Sequence, residues 1–124
     1  AAVFAGGCAG ETRSGLGWSE DFRIPPELRG RWISADPRYE DRVLELQPDA
    51  VVFYTGGTFG VTAHRIREGR TEAAGDRGTL YQVRYRAESP DELYTFSFYF
   101  RPGDGGEIRF RNQPGLVWRP AEGV

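Results

Sequence analysis

A chain of 124 residues with 39% hydrophobic and 14% aromatic content supports one packed core, which excludes a two-domain architecture and a disordered chain. Its net charge of −2 gives no electrostatic basis for binding nucleic acid, and its one cysteine excludes an internal disulfide and a Cys/His zinc site. No run of 18 apolar residues is present, so no stretch of the chain reads as a membrane-spanning helix. Seventeen glycines and eight prolines without a repeat point instead to many turns and an all-β chain. All 16 basic residues are arginine, a bias that fits a GC-rich genome.

Residues 1–10 run Ala-Ala-Val-Phe-Ala-Gly-Gly-Cys-Ala-Gly, small and apolar up to the lone cysteine, with polar sequence after it. This resembles the end of a bacterial lipoprotein signal peptide, in which small residues precede an acylated cysteine. Gly6 and Gly7 match that pattern, whereas Ala5 stands where leucine is usual. The resemblance implies that residues 1–7 are the remnant of a signal peptide and that Cys8 is the lipid-attachment residue. It further implies a lipoprotein anchored to a bacterial cell-envelope membrane, facing the periplasm or the outside, each acyl chain contributing about 0.8 kcal/mol per buried CH₂. Residues 8–27 then read as the lipidated cysteine and a flexible tether, stiffened at Pro25-Pro26. Within it Trp18 and Phe22 are expected to pack across one end of the domain, and Ser19 to cap a short turn.

Residues 28–119 are expected to form the folded domain and 120–124 a C-terminal tail. Leu28 to Ser34 is the first strand. Asp36, Glu40 and Asp41 follow it as a solvated acidic loop. Arg42 to Gln47 and Ala50 to Thr55 form a hairpin across Pro48-Asp49, residues suited to the centre of a turn. Phe59 to Arg67 is the next strand; Glu68-Gly69 reads as a turn, with a short irregular strand from Arg70 to Ala74. Thr79 to Ala87 places Tyr81, Val83 and Tyr85 on one face.

The richest aromatic stretch comes next. Tyr94, Phe96, Phe98 and Phe100 recur at period two, and after the loop Pro102 to Gly106, Ile108 and Phe110 face one way while Glu107, Arg109 and Arg111 face the other. Leu116 to Arg119 is the last strand. The outward arginines Arg84, Arg86, Arg109 and Arg111, interspersed with acids, read as a solvated face that blunts edge pairing. About eight short strands joined by turns predict an up-and-down antiparallel meander closed as a barrel, with an open β-sandwich as the alternative.

Gly30-Arg31-Trp32 opens this meander, and its position resembles the Gly-x-Trp signature of lipocalins and related calycin barrels. The resemblance implies that Gly30 and Trp32 close the barrel's lower end and that Arg111 or Arg119 packs over the Trp32 ring, a contact of about 0.5–2 kcal/mol. The folded stretch is about half the length of a lipocalin, and the usual C-terminal helix has no counterpart. The resulting expectation is an envelope-anchored module holding a small apolar or amphipathic ligand, with Tyr81, Tyr85, Tyr94, Phe96, Phe98 and Phe110 lining the cavity. The alternative is a filled barrel that meets a protein partner, as an envelope inhibitor or assembly factor, through the loop 101–106 or the segment 18–26. His64 is the only histidine and no GxSxG, HExxH or P-loop pattern occurs, so neither catalysis nor a cofactor or metal is expected.

Overall fold

The computed structural model describes residues 17–56, 60–86, 92–103 and 105–121. Eight antiparallel strands follow one another around a closed barrel: β1 (Gly30–Ser34), β2 (Val43–Gln47), β3 (Ala50–Tyr54), β4 (Val61–Ala73), β5 (Thr79–Arg86), β6 (Leu93–Arg101), β7 (Glu107–Phe110) and β8 (Gln113–Pro120). β8 returns to β1 through the pairs Trp32↔Pro120 and Ser34↔Trp118. The expected up-and-down barrel is therefore present, with closure removing the sheet edges that an open sandwich would expose.

Alternation decides which side chains enter the barrel. The pairs Tyr81↔Phe98, Val83↔Phe96, Phe98↔Phe110 and Phe100↔Ile108 place these side chains on the inner face. Trp32, Leu44, Leu46, Val51, Val83, Phe98 and Ile108 are all essentially fully buried there. A chain of ring contacts runs the length of the interior: Trp32–Phe100, Phe100–Tyr81, Tyr81–Phe98, Phe98–Phe96, Phe96–Phe110, Phe110–Trp118 and Trp118–Tyr39. An eight-stranded barrel is just wide enough for side chains to fill, and these rings fill it.

β4 is one strand of 13 residues, where the sequence suggests two pieces separated by a turn. Its first half pairs with β3, from Tyr54↔Val61 to Ala50↔Arg65. At a bulge between Ile66 and Glu68 it bends, and its second half pairs with β5. Gly69 is thus no turn residue. A Cβ there would lie 2.5 Å from the Phe22 ring, so glycine serves a close approach.

That approach closes a gap. Beyond the bulge, β4 has no β3 residues opposite it, and the N-terminal segment takes their place. Ser19 and Gly69 exchange two backbone hydrogen bonds of 2.9 and 3.0 Å, and Ile24 N–H donates to the Pro48 carbonyl. On the outer face the Trp18 ring lies between Arg70 and Arg84, whose Cζ atoms stand 4.5 and 3.8 Å from its centroid. Residues 18–24, read in the sequence as part of a tether, are therefore packed on the barrel. Ile24 and Leu28 plug its lower end, with Leu28 in a 3₁₀ turn at Pro26–Leu28. Residues 1–16, including Cys8, lie outside the described residues.

Candidate functional site at the open end of the barrel

The two ends of the barrel are built differently. The lower end is sealed by Trp32, whose indole N–H donates to the Leu28 carbonyl at 2.9 Å and whose ring meets Phe100 edge-on at 6.2 Å. Gly30 adopts φ +119°, a backbone that favours glycine, and so lets the chain pass from the plug into β1. The arginines expected over Trp32 are elsewhere. Arg111 lies at the other end of the barrel, where its N–H bonds the Ser97 carbonyl. Arg119 reaches the Gly106 carbonyl and Glu107 on the outer face, because it lies opposite Ile33, the outward neighbour of Trp32. No arginine stacks on Trp32 among the described residues; Phe100 covers its ring in their stead.

At the open end the rings are only half covered. Phe96 and Phe110 are half-buried and meet edge-to-face at 5.0 Å, and Phe53 joins them at 5.3 Å from Phe96. His64, opposite Val51 and sharing its face, stacks on Tyr85 at 4.1 Å, and Tyr94 closes on Tyr85 at 6.0 Å with 48% of its surface exposed. Tyr39, brought in by a 3₁₀ turn at Pro37–Tyr39, completes the rim beside Trp118. Asp36 caps that turn by accepting from the Arg38 N–H, and the Arg38 guanidinium pulls its carboxyl down to about 2. Asp41, also expected in a solvated acidic loop, pairs with Arg42. Among the described residues no three acidic, His or Cys side chains gather as a metal site would need.

The six rings expected to line a cavity thus divide by height. Tyr81 and Phe98 stack on one another at 5.4 Å in the middle of the packed interior, whereas Tyr85, Tyr94, Phe96 and Phe110 belong to the mouth. Sequence reasoning missed Phe53, Tyr39, His64 and Trp118. The alternation of Val51 with Phe53 and of Leu116 with Trp118 carried the inward direction of two of these. Burial raises the pKa of the Tyr85 hydroxyl above its ordinary value, so it remains a neutral donor and acceptor at physiological pH.

One polar atom stands out. The indole N–H of Trp118 is buried and has no hydrogen-bond partner among the described residues, and the residue is only 4% exposed. Such a donor ordinarily costs about 1–3 kcal/mol unless an acceptor reaches it. Two clefts flank the mouth, one of about 330 Å³ lined by Thr95, Phe96, Ser97, Arg111 and Asn112, the other of about 290 Å³ between Tyr39, Gln113 and Leu116.

No family model, curated protein or solved structure matches the chain. The geometry of the barrel alone has to carry the functional reading.

Proposed function

We propose that this barrel is a binding module that takes a small, flat apolar or amphipathic ligand at its open end, against the rings of Phe53, Tyr85, Tyr94, Phe96 and Phe110. The observation that carries this reading is the buried Trp118 N–H, without a partner among the described residues, beside the half-buried rings. A ligand with an apolar body and one hydrogen-bond acceptor would satisfy both features, the rings by stacking and the indole by donation. The packed interior below Phe98 supports a ligand seated in the mouth rather than deep in the barrel. Anchoring of this module to a bacterial envelope membrane through an acylated Cys8 is part of the same proposal and rests on the residues around that cysteine.

The test is a fluorescence titration with 6-propionyl-2-(dimethylamino)naphthalene, a flat neutral probe with a carbonyl acceptor, together with native mass spectrometry of the protein from its bacterial host. Saturable probe binding is expected, lost in the double variant Phe96→Ala/Tyr85→Ala and weakened about tenfold in Trp118→Phe, the value of one hydrogen bond. Unchanged uptake by a double variant that still folds would remove the reading.

A second reading has its own support. The rings fill the interior, and Val61, Leu93 and Tyr94 are exposed at the rim, so a filled barrel meeting a protein partner through that rim is the competing proposal. A ligand-free mass in the native spectrum, with a protein retained on immobilised barrel and lost in Tyr94→Ser/Leu93→Ser, would favour it.

A further inference from the structure

The outer wall of the barrel gathers arginines that the sequence scatters over more than forty residues. Glu107 lies opposite Arg101 on β6. One step beyond the Ile108↔Trp118 pair, it also lies beside Arg119 on β8. Arg109 follows two residues along on the same face. All three guanidinium groups converge on the one carboxylate: Arg109 at 2.7 Å, Arg101 at 3.1 Å and Arg119 at 3.5 Å. Hydrogen bonds from Arg109, with Arg101 beside it, hold the Glu107 carboxyl below its ordinary pKa, and it is only 7% exposed.

A fourth arginine comes from another element. The 3₁₀ turn Gly75–Arg77 sets Arg77 over the Tyr99 ring, at 5.4 Å, with its Nη1 donating to the Tyr99 hydroxyl at 3.1 Å. Among the described residues Arg77 has no carboxylate partner. Tyr99 in turn lies opposite Arg109. Between these groups is a half-open cleft of about 280 Å³, lined by Asp76, Arg77, Tyr99, Arg101, Glu107, Arg109 and Pro114. Among the described residues, Arg77, Arg101 and Arg109 against Glu107 and Asp76 leave the lining one positive charge in excess, and Arg119, outside the lining but held on Glu107, adds a second, on a chain whose net charge is −2.

Three guanidiniums around one carboxylate are more than ion pairing there requires, and Arg77 is added with no acid among the described residues to answer it. We infer that this cleft is a second binding site, distinct from the barrel mouth, for a small dianionic group of the phosphate type. The charge excess matches a phosphate monoester, which carries close to two negative charges at neutral pH. Guanidinium groups offer planar, forked donors suited to its oxygens, and the Tyr99 hydroxyl adds a neutral one. Buried Glu107 fixes the orientation of Arg101, Arg109 and Arg119, so their order is present before the anion arrives. The cleft's size suits a headgroup-sized ligand rather than a large one.

The test is a titration of the whole chain with inorganic phosphate at low salt, read by the side-chain Nε–Hε resonances of its arginines in NMR. The expected result is saturable shifts confined to the lining arginines Arg77, Arg101 and Arg109 and to Arg119 beside them. Arg77→Gln should weaken binding about tenfold or more, the loss of one charge-assisted bond. Arg65→Gln, which removes an exposed partner of Asp49 across the barrel, should leave binding unchanged. Glu107→Gln, which removes the buried negative charge but keeps an oxygen that still accepts from the arginines, should tighten it; if that variant does not fold, Arg77→Gln still decides. Parallel titrations with dihexanoyl phosphatidic acid, a lipid phosphomonoester, and phenyl phosphate tell a lipid headgroup from a free phosphomonoester, and saturation by either supports the site. Shifts spread evenly over all the arginines, or equal weakening by Arg65→Gln and Arg77→Gln, would overturn it as unspecific counter-ion binding.

Discussion

Trp32 and Trp118 form a natural matched pair. They are 2% and 4% exposed, one at each end of the same interior. Replacing either by phenylalanine deletes the same atoms from an equally buried site, so the transfer and cavity costs largely cancel between the two variants. What remains is the indole N–H. In Trp32→Phe a 2.9 Å bond to the Leu28 carbonyl is lost and that buried acceptor is left without its donor, a cost of about 1–3 kcal/mol. In Trp118→Phe no bond to a described residue is lost, and the cost of a buried donor without an acceptor, again about 1–3 kcal/mol, is relieved. Taking the low end of each contribution, Trp118→Phe should be the more stable variant by about 2 kcal/mol. For a domain of this size each kcal/mol moves Tm by roughly 4 °C or more, so the gap is easily resolved.

The assay is urea unfolding followed by far-UV circular dichroism, on ligand-free refolded protein, with equal m-values as the condition for comparing midpoints. Equal midpoints would show that the Trp118 N–H has an acceptor in the free protein, an ordered water being the simplest, and the principal support for a ligand in the mouth would go. A gap that narrows once ligand is added would connect the stability measurement to binding, because the wild-type indole then gains the partner that the phenylalanine variant lacks.

Three further outcomes follow from the packing. Phe98→Ala, at a fully buried ring stacked on Tyr81, should destabilise by about 3–5 kcal/mol in the same urea assay. Gly69→Ala drives a Cβ into the Phe22 ring and should displace the segment 18–24, costing about 1–3 kcal/mol; hydrogen exchange should show the Ser19 and Gly69 amides losing protection together, and intact protection would refute the close approach. The Glu107 carboxyl is held below its ordinary value, so its contribution to stability is full above the normal carboxylate range, at pH of about 5 and higher. It is lost as pH falls through the lowered folded value, and Glu107→Gln should flatten that acid limb of the stability profile.

The strands were largely legible in the sequence because each one obeys a local rule. Period-two aromatics mark β6, Pro48-Asp49 marks the β2–β3 turn, and Gly30-Arg31-Trp32 marks the entry into β1. The reading failed at Glu68-Gly69, where glycine looks like a turn but answers a ring arriving from Phe22, 47 positions away in the sequence. Period two also tells which face a residue occupies but not its height in the barrel. That is why six rings of one pattern divide into a core pair, Tyr81 and Phe98, and a mouth set of Tyr85, Tyr94, Phe96 and Phe110. The arginine cleft was illegible for a related reason. Arg101, Glu107 and Arg119 become neighbours only through the β6–β7–β8 register, and Arg77 only through the turn that precedes β5.

The asymmetry between the barrel's ends is the strongest argument about where function lies. At the lower end the chain spends residues 18–28 on closure: Ile24 and Leu28 plug the interior, Ser19 pairs the second half of β4, and Leu28 supplies the acceptor for Trp32. At the upper end no described segment does any of this. Tyr39, Phe53, Phe96 and Phe110 stay half covered, and Val61, Leu93 and Tyr94 stay exposed. Half-covered rings forgo burial worth about 25 cal/mol per Å², and a buried N–H without an acceptor adds to that cost. A chain able to seal one end so thoroughly has the means to seal the other. Among the described residues the mouth is left apolar and one donor unanswered, the arrangement expected where something else completes the core.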